Sequence, residues 1–357
     1  MIRGHGTGTF LLLTGNSAAP RLSLLISIAM TAVVLLVPVP FTSLLCQSPL
    51  PVLLAMLSLV THPAYDIPLP DGHRFPSTKF SRLMARLEDD GITSAFNSLQ
   101  PAAAGRTDLW RTQCADYVDA VAAGTLDSEA LRVMGLTWSQ VLANRSFLAV
   151  NGTLLAARQA LRHGLACHAA GGTHHAHHGH GAGYCVFNDL AYSAVQLADE
   201  GAVRRVLILD CDVHQGDGTA RILAGRPDLF TCSLHCQANY PARKAESDLD
   251  VEIDRHADDA TYLGILDDTL RRLQAMIIPD LVIYDAGVDI HEGDRLGLLS
   301  VSYDGIRQRD AMVLRHFRSR GIPVATVIGG GYGTDLDEVA YRHSLVFHAA
   351  AAEHAAG

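Results

Sequence analysis

Short apolar runs alternate with longer segments of helical periodicity over most of the chain beyond residue 60. The segments 154–163 and 189–200 predict helices, because Asn188 favours a helix start while Gly164 and Gly201 end the two patterns. Strand-length apolar runs cover residues 53–60, 165–169, 206–209, 230–234, 281–284 and 322–328. Such runs between helices are typical of a parallel sheet that is covered on both faces. The pattern therefore predicts an α/β fold, a three-layer αβα sandwich around a mostly parallel central sheet.

Polar side chains follow two of these strand-like runs, at the edge of the sheet where parallel folds bind ligands. Asp210, Asp212 and His214 follow one run, and they would point the same way in an extended segment. Asp212 and His214 can place an oxygen and a nitrogen on one metal ion, and Asp289, beyond a second run, can supply a third ligand. Three protein ligands with an open fourth position suit catalytic Zn²⁺, although the same donors accept Fe²⁺ or Co²⁺.

A third run leads into a glycine-rich turn with the adjacent histidines His174 and His175, which can approach a metal site from one side. The histidines continue through His177, His178 and His180. We interpret these last three as a solvated loop or a loose surface metal binder.

A fourth run leads into residues 329–333, where Tyr332 stands among four glycines. Glycines allow the backbone to come close to a ligand. A tyrosine in such a place is often a packing residue, and polar residues at one strand end are often only helix caps or turn formers. Several strand ends with the same character favour a functional site.

The first 60 residues differ from the rest, because Arg3 and Arg21 are their only charged side chains. The uncharged run 22–37 is shorter than the about 20 residues of a spanning helix, and it has the length of the apolar part of a signal peptide or signal anchor. The alternative is a leader or upstream extension with no part in the fold. We predict three parts: a leader over residues 1–52, one globular domain over residues 53–350 and a tail over residues 351–357.

Composition limits the class of protein. Hydrophobic residues make up 48% of the chain and charged residues 18%, which allows a large core. The formal charge of −9 argues against a non-specific nucleic-acid binder, which needs a basic surface. The 7 cysteines contain no CxxC pair and do not indicate a disulfide framework or a structural zinc cage.

Histidine-, glycine- and aspartate-rich motifs follow one another in a fixed order between His62 and Phe347. They cover residues 62–65, 72–76, 171–176, 210–218, 240–244, 247–250, 291–297 and 329–333. In this order and spacing they resemble the histone deacetylase family of the arginase/deacetylase superfamily, most of all its bacterial branch akin to class IV deacetylases. Arginases carry Asp-x-His-x-Asp where this chain has Asp-x-Asp-x-His, so the resemblance is to the deacetylases.

The resemblance implies the arginase/deacetylase fold and a set of site residues. The implied metal ligands are Asp212, His214 and Asp289. The implied catalytic residues are His174, His175, Tyr332, Asp210 and Asp217, with Asp210 behind His174, Asp217 behind His175, and Tyr332 polarising the substrate carbonyl. The implied tunnel residues are Gly183 and Tyr184, the second of which is usually Phe in the family. A structural K⁺ site is implied at Ser233 and the backbone carbonyls of Asp210, Asp212 and His214.

The implied activity is a zinc-dependent amidohydrolase that removes acetyl or longer acyl groups. Its partners would be an acyl-lysine protein or peptide, or an acetylated polyamine, with no direct nucleic acid. The alternative is a non-catalytic relative that binds an acylated ligand. The family implies a cytoplasmic protein, while a membrane contact, through residues 22–37 alone, or an organellar location stays open.

Overall fold

Eight strands form a single sheet in the computed structural model, which describes residues 56–356. The sheet order is β2-β1-β3-β8-β7-β4-β5-β6, and every neighbouring pair is parallel. The strands are β1 (Leu57–Val60), β2 (Phe96–Leu99), β3 (Leu165–His168), β4 (Val206–Asp210), β5 (Leu229–Cys236), β6 (Leu249–Ile253), β7 (Leu281–Asp285) and β8 (Val324–Val327). The prediction of a parallel central sheet is confirmed.

Helices pack against this sheet and complete the predicted three-layer α/β architecture. They are α1 (Lys79–Asp89), α2 (Arg106–Leu109), α3 (Ala115–Ala123), α4 (Ser128–Met134), α5 (Gln140–His163), α6 (Asp189–Asp199), α7 (Asp217–Leu223), α8 (Asp259–Met276), α9 (Tyr303–Arg318) and α10 (Leu336–Ala356). The helix α5 packs against β1, β3 and β8. None of these helices, within residues 56–356, is long and apolar enough to cross a membrane.

The predicted helices are present, but one of them is much longer than predicted. The helix α6 begins as expected, since the Asn188 side chain accepts a hydrogen bond from the Ala191 N–H at 2.9 Å. The helix α5 begins at Gln140, after the Ser139 cap, 14 residues before the predicted start. Its early turns bury Arg145 and Ser146 beside Leu142 and Ala149, so polar residues interrupt the apolar periodicity that marks a helix.

The sequence pattern finds the inner strands and misses the two edge strands. The strands β2 and β6 lie at the two ends of the sheet order and are only partly buried, so they carry no continuous apolar run. Two predicted strand ends also move, because β5 extends to Cys236 and β8 covers only Val324–Val327. In the first predicted run, residues 57–60 form β1, and residues 53–55 lie outside the described part.

The strand register brings the polar strand ends together. Asp210, the last residue of β4, lies opposite Ser233 of β5 on one side and Asp285 of β7 on the other. The strands β3, β8, β7 and β4 are consecutive neighbours in the sheet, and each leads into one of the predicted polar motifs. Their carboxyl ends therefore lie at one edge of the sheet. The predicted domain boundaries at residues 52 and 350 stay predictions, and the run 22–37 lies outside the described residues.

Candidate active site

Three potential metal ligands converge at this edge of the sheet. The Nδ1 atom of His214 lies 3.0 Å from Oδ1 of Asp212 and 3.0 Å from Oδ2 of Asp289. All three side chains are buried. Backbone N–H groups hold the remaining carboxylate oxygens: Gly330 donates to Asp212 at 2.7 Å and Val213 donates to Asp289 at 2.8 Å. The free lone pairs of this trio therefore point at one place.

The donor set fits a divalent cation. Two carboxylates and one imidazole are ligands that Zn²⁺ accepts. Burial, with the charge of Asp212, raises the pKa of Asp289 to about 7, so the cluster favours added positive charge. The backbone of Gly330 lies close to the carboxylates, because a Cβ atom there would lie 2.2 Å from Oδ2 of Asp289. Only glycine allows the backbone to come this close.

Asp210 does not share a face with Asp212 and His214, which corrects the expectation of an extended segment. The strand β4 ends at Asp210, and residues 212–214 form bends. Oδ2 of Asp210 lies 2.8 Å from Nδ1 of His174, and its Oδ1 accepts a hydrogen bond from the Asp212 N–H at 3.1 Å. The bends separate a carboxylate for the histidine pair from the two metal ligands.

The adjacent histidines have separate carboxylate partners. The imidazole rings of His174 and His175 are 4.1 Å apart between centroids. Nδ1 of His175 lies 2.8 Å from Oδ1 of Asp217, at the start of α7. The pairing that the sequence resemblance implies, Asp210 with His174 and Asp217 with His175, is the pairing in the structure.

The electrostatic surroundings drive the pKa values of the two rings apart. Burial lowers the pKa of His174, but the charges of Asp210 and Asp212 outweigh it and raise this pKa well above its usual value. Burial and the neighbouring charge of His174 lower the pKa of His175 to about 3. At neutral pH the arrangement favours a cationic His174 beside a neutral His175, which is able to accept a proton.

Two residues recognised only as a helix start also position the histidine turn. The Asp189 carboxylate accepts hydrogen bonds from the backbone N–H groups of Gly172 at 3.1 Å and Thr173 at 2.7 Å. The Asn188 amide donates to the carbonyl of His174 at 3.3 Å. Their sequence signal, a polar pair before an apolar helix, indicates a cap and gives no hint of the second contact.

Of the three histidines predicted to lie in a solvated loop, His178 and His180 are exposed, while His177 is partly buried, contrary to the prediction. Its Nε2 atom lies 3.3 Å from Oδ2 of Asp217, and its ring stacks on that of His180 with centroids 4.5 Å apart. His178 lies 3.0 Å from the Thr112 carbonyl through its Nδ1 atom. The carboxylate of Asp217 therefore holds His177 against the protein.

Tyr332 lines the same cavity as His175 and His214, and its phenol is buried. Burial raises its pKa well above the usual value, so the hydroxyl stays protonated. The Tyr332 N–H donates to Oδ2 of Asp294 at 2.6 Å. Arg342 donates both to this oxygen at 3.0 Å and to the Tyr332 carbonyl at 3.3 Å. The backbone of Tyr332 is thus held from both sides by a buried ion pair that the sequence analysis did not identify.

A cavity of about 380 Å³ leads from the surface to the side chains of His175, His214 and Tyr332. Gly183 and Tyr184, the predicted tunnel residues, line it. The Tyr184 ring packs between those of His73 and Tyr332, at centroid distances of 5.7 Å and 5.9 Å. Both predicted tunnel residues therefore lie where a substrate chain would pass.

Two further buried ionisable groups were missed by sequence reasoning. Lys79 donates to the Gly329 carbonyl at 2.9 Å, and burial lowers its pKa to about 8. Neither carboxylate oxygen of Asp285 has a hydrogen-bond partner within residues 56–356, and burial raises its pKa well above the usual value. A single lysine in the amphipathic helix α1 carries no signal that separates it from a surface lysine.

Ser233, whose side chain belongs to the implied potassium site, lies beside Asp210. Ser233 pairs with Asp210 in the sheet register, and its Oγ atom lies 3.1 Å from Nδ1 of His235. The K⁺ site itself stays a prediction.

Comparison with known proteins gives the family. The model of the histone deacetylase domain matches residues 73–348, and the chain belongs to the histone deacetylase family. It is 30% identical over 291 residues to histone deacetylase 2 of Arabidopsis thaliana, covering 78% of this chain and 75% of that protein. It is 30% identical to the acetoin utilization protein AcuC of Bacillus subtilis over 269 residues, covering 68% of this chain and 67% of AcuC. The family resemblance seen in the motifs is confirmed.

Two other comparisons extend this result. An uncharacterized protein of a Picosynechococcus species is 47% identical over 292 residues, covering 82% of this chain and 97% of that protein. The crystal structure of the HDA15 HD domain superposes with a TM-score of 0.68 at 20% identity, covering 82% of this chain and 90% of that domain. This likeness confirms the fold, and the family membership supports a deacetylase hydrolase.

Proposed function

We propose that the protein is a zinc-dependent amidohydrolase that removes acetyl groups from N-acyl-lysine, as a member of the class IV-like branch of its family. The observation that carries the proposal is the convergence of Asp212, His214 and Asp289 beside two histidine–carboxylate pairs and a buried phenol. Asp212, His214 and Asp289 would hold the metal. When bound, Zn²⁺ supplies a Lewis acid that polarises a carbonyl and lowers the pKa of water.

The histidines divide the proton transfers between them. His175, which is neutral at neutral pH, accepts a proton from the attacking water as a general base and later delivers a proton to the leaving amine. Asp217 fixes its orientation and tautomer through Nδ1. His174, held by Asp210, contributes positive charge next to the developing oxyanion.

Tyr332 completes the site as a hydrogen-bond donor. Its hydroxyl keeps its proton, because burial raises the pKa, and so it donates a hydrogen bond to the substrate carbonyl oxygen as negative charge develops there. The backbone contacts to Asp294 and Arg342 set the position of this donor before substrate binds.

The test is hydrolysis of a fluorogenic acetyl-lysine peptide by protein purified without added metal, together with analysis of the metal content. We expect turnover, about one metal ion per chain, loss of turnover with a chelator and recovery with Zn²⁺. Recovery only with Fe²⁺ or Co²⁺ would change the metal assignment and keep the amidohydrolase. Tight binding of the peptide without turnover at full metal occupancy would contradict the proposal and favour the non-catalytic acyl-binding alternative.

A further inference from the structure

The mouth of the active-site cavity carries positive charge in an acidic protein. The chain has 37 acidic against 28 basic residues. Among the described residues that line the cavity there is no Asp or Glu, and Arg74 is the only Lys or Arg. The lining of this cavity thus lacks the acidic side chains that predominate over the whole chain.

A side cavity of about 170 Å³ shares this mouth. It is lined by Arg74, Arg295, Leu296 and Tyr332, so two guanidinium groups and an apolar side chain stand next to the phenol of the active site. Both arginines are exposed. Neither side chain forms an ion pair or a hydrogen bond within residues 56–356, whereas many other arginines of this chain, such as Arg226 and Arg342, are paired.

We propose that Arg74 and Arg295 form a carboxylate subsite, so that the enzyme prefers acetyl-lysine flanked by acidic residues over acetylated polyamines or lysines in basic segments. The proposal rests on the proposed function, since it names the substrate class of the same site. A guanidinium binds a carboxylate in a bidentate manner. The same groups repel the protonated amines of a polyamine at the point where it would leave the tunnel.

The size of the preference follows from the exposure of the arginines. An ion pair in solvent gives a few-fold effect, so two arginines are expected to change kcat/KM by about tenfold between acidic and basic flanks. Because exposed charges are screened, the preference should shrink at high ionic strength.

The experiment compares kcat/KM for acetyl-lysine peptides of equal length with Glu, Gln or Lys on both sides, and for an acetylated polyamine. We expect the order Glu, Gln, Lys, with the polyamine no better than the Lys peptide. A peptide that ends in acetyl-lysine, with a free or an amidated terminus, shows whether a main-chain carboxylate is bound as well as a side-chain one. A Glu-to-Lys ratio near one, or a preference for the polyamine, would overturn the proposal.

Variants assign the preference to the two arginines. Arg74→Gln and Arg295→Gln should each lower the Glu-to-Lys ratio about threefold, and the lysine replacements should retain most of it. Arg162→Gln, which removes an exposed arginine from the end of α5 just before β3 begins, is the matched control and should leave the ratio unchanged. An equal ratio in all variants would assign the preference elsewhere. Failure of every peptide to react would contradict the proposed function instead, so the two failures are distinguishable.

Discussion

Nδ1 of His175 lies 2.8 Å from Oδ1 of Asp217, while the other oxygen of this carboxylate lies 2.8 Å from an Arg221 nitrogen and 3.3 Å from His177. The Asp217 carboxylate therefore contacts His175 through one oxygen and both Arg221 and His177 through the other. Burial raises the pKa of Asp217, but the hydrogen bonds from His175 and His177 outweigh it and lower this pKa, so the group is ionised at neutral pH. One oxygen of Asp217 therefore orients His175, while the other oxygen contacts Arg221 and His177.

Replacing Asp217 with Asn should therefore impair the base. The amide removes the negative charge and can present a donor to Nδ1, which disturbs the tautomer that His175 needs. We expect kcat to fall about 10- to 100-fold in steady-state assays. Arg221→Gln, on the other oxygen of the same carboxylate, is the control and should stay within about threefold of wild type. Equal losses in both variants would show that Asp217 acts only through overall charge.

Tyr332→Phe should lower kcat about 10²- to 10³-fold with little change in KM, because the hydroxyl stabilises the oxyanion more than the bound substrate. The measurement is steady-state hydrolysis of the acetyl-lysine peptide at equal metal content. A kcat near wild type would contradict the role of Tyr332 as the hydrogen-bond donor to the oxyanion.

Asp294→Asn should act through Tyr332. The amide keeps the size of the side chain but weakens its ion pair with Arg342 and its bond to the Tyr332 N–H, so we expect about a tenfold loss of kcat. In a Tyr332→Phe background the same substitution should cost much less, since the hydroxyl it positions is gone. Full additivity in this double-mutant cycle would contradict the positioning role.

Asp212→Ala should lose the metal as well as the activity. The substitution removes one of three protein ligands, and the remaining pair leaves an incomplete coordination sphere. Metal content per folded chain is the measurement, and Asp285→Asn is the comparison, because Asp285 lies near the cluster without contacting Asp289 or His214 by a hydrogen bond. A variant of Asp212 that keeps one zinc per chain would refute the ligand assignment.

The buried His168 should make the fold sensitive to acid. It is fully buried between the Tyr65 hydroxyl at 2.8 Å and the Thr153 hydroxyl at 2.9 Å, and burial, with the charge of Arg145, lowers its pKa to about 3. Below a pH of about 6.5 the unfolded chain binds a proton at this residue and the folded chain does not, so the free energy of unfolding falls by about 1.4 kcal/mol per pH unit down to the folded pKa.

Denaturant unfolding at pH 7 and at mildly acidic pH measures this loss. Contributions of the other buried groups are common to wild type and to His168→Gln and cancel in the comparison. The pH slope of the variant should be smaller by one proton, and an unchanged slope would show that His168 is not kept neutral by the fold.

The sequence predicts those features that depend on the direction of parallel strands. Asp212, His214, Asp289 and Tyr332 all follow apolar runs, and the carboxyl ends of parallel strands share one edge, so their convergence follows from the pattern. The different direction of Asp210 depends on the bends at residues 212–214, which a period-two argument does not describe. Lys79 and Arg342 were missed because a single buried charge in a helix has no periodic signal. The edge strands were missed because they are only partly buried.

The neighbouring positions of β4 and β7 in the sheet also bear on when the site comes into existence. Asp212 and Asp289 belong to segments that are far apart along the chain, with β5, β6 and α8 between them. A polypeptide that has folded only as far as β6 lacks the second carboxylate of the proposed metal site. On the proposed metal assignment, the three ligands are therefore brought together only after β7 has paired with β4 at the centre of the sheet.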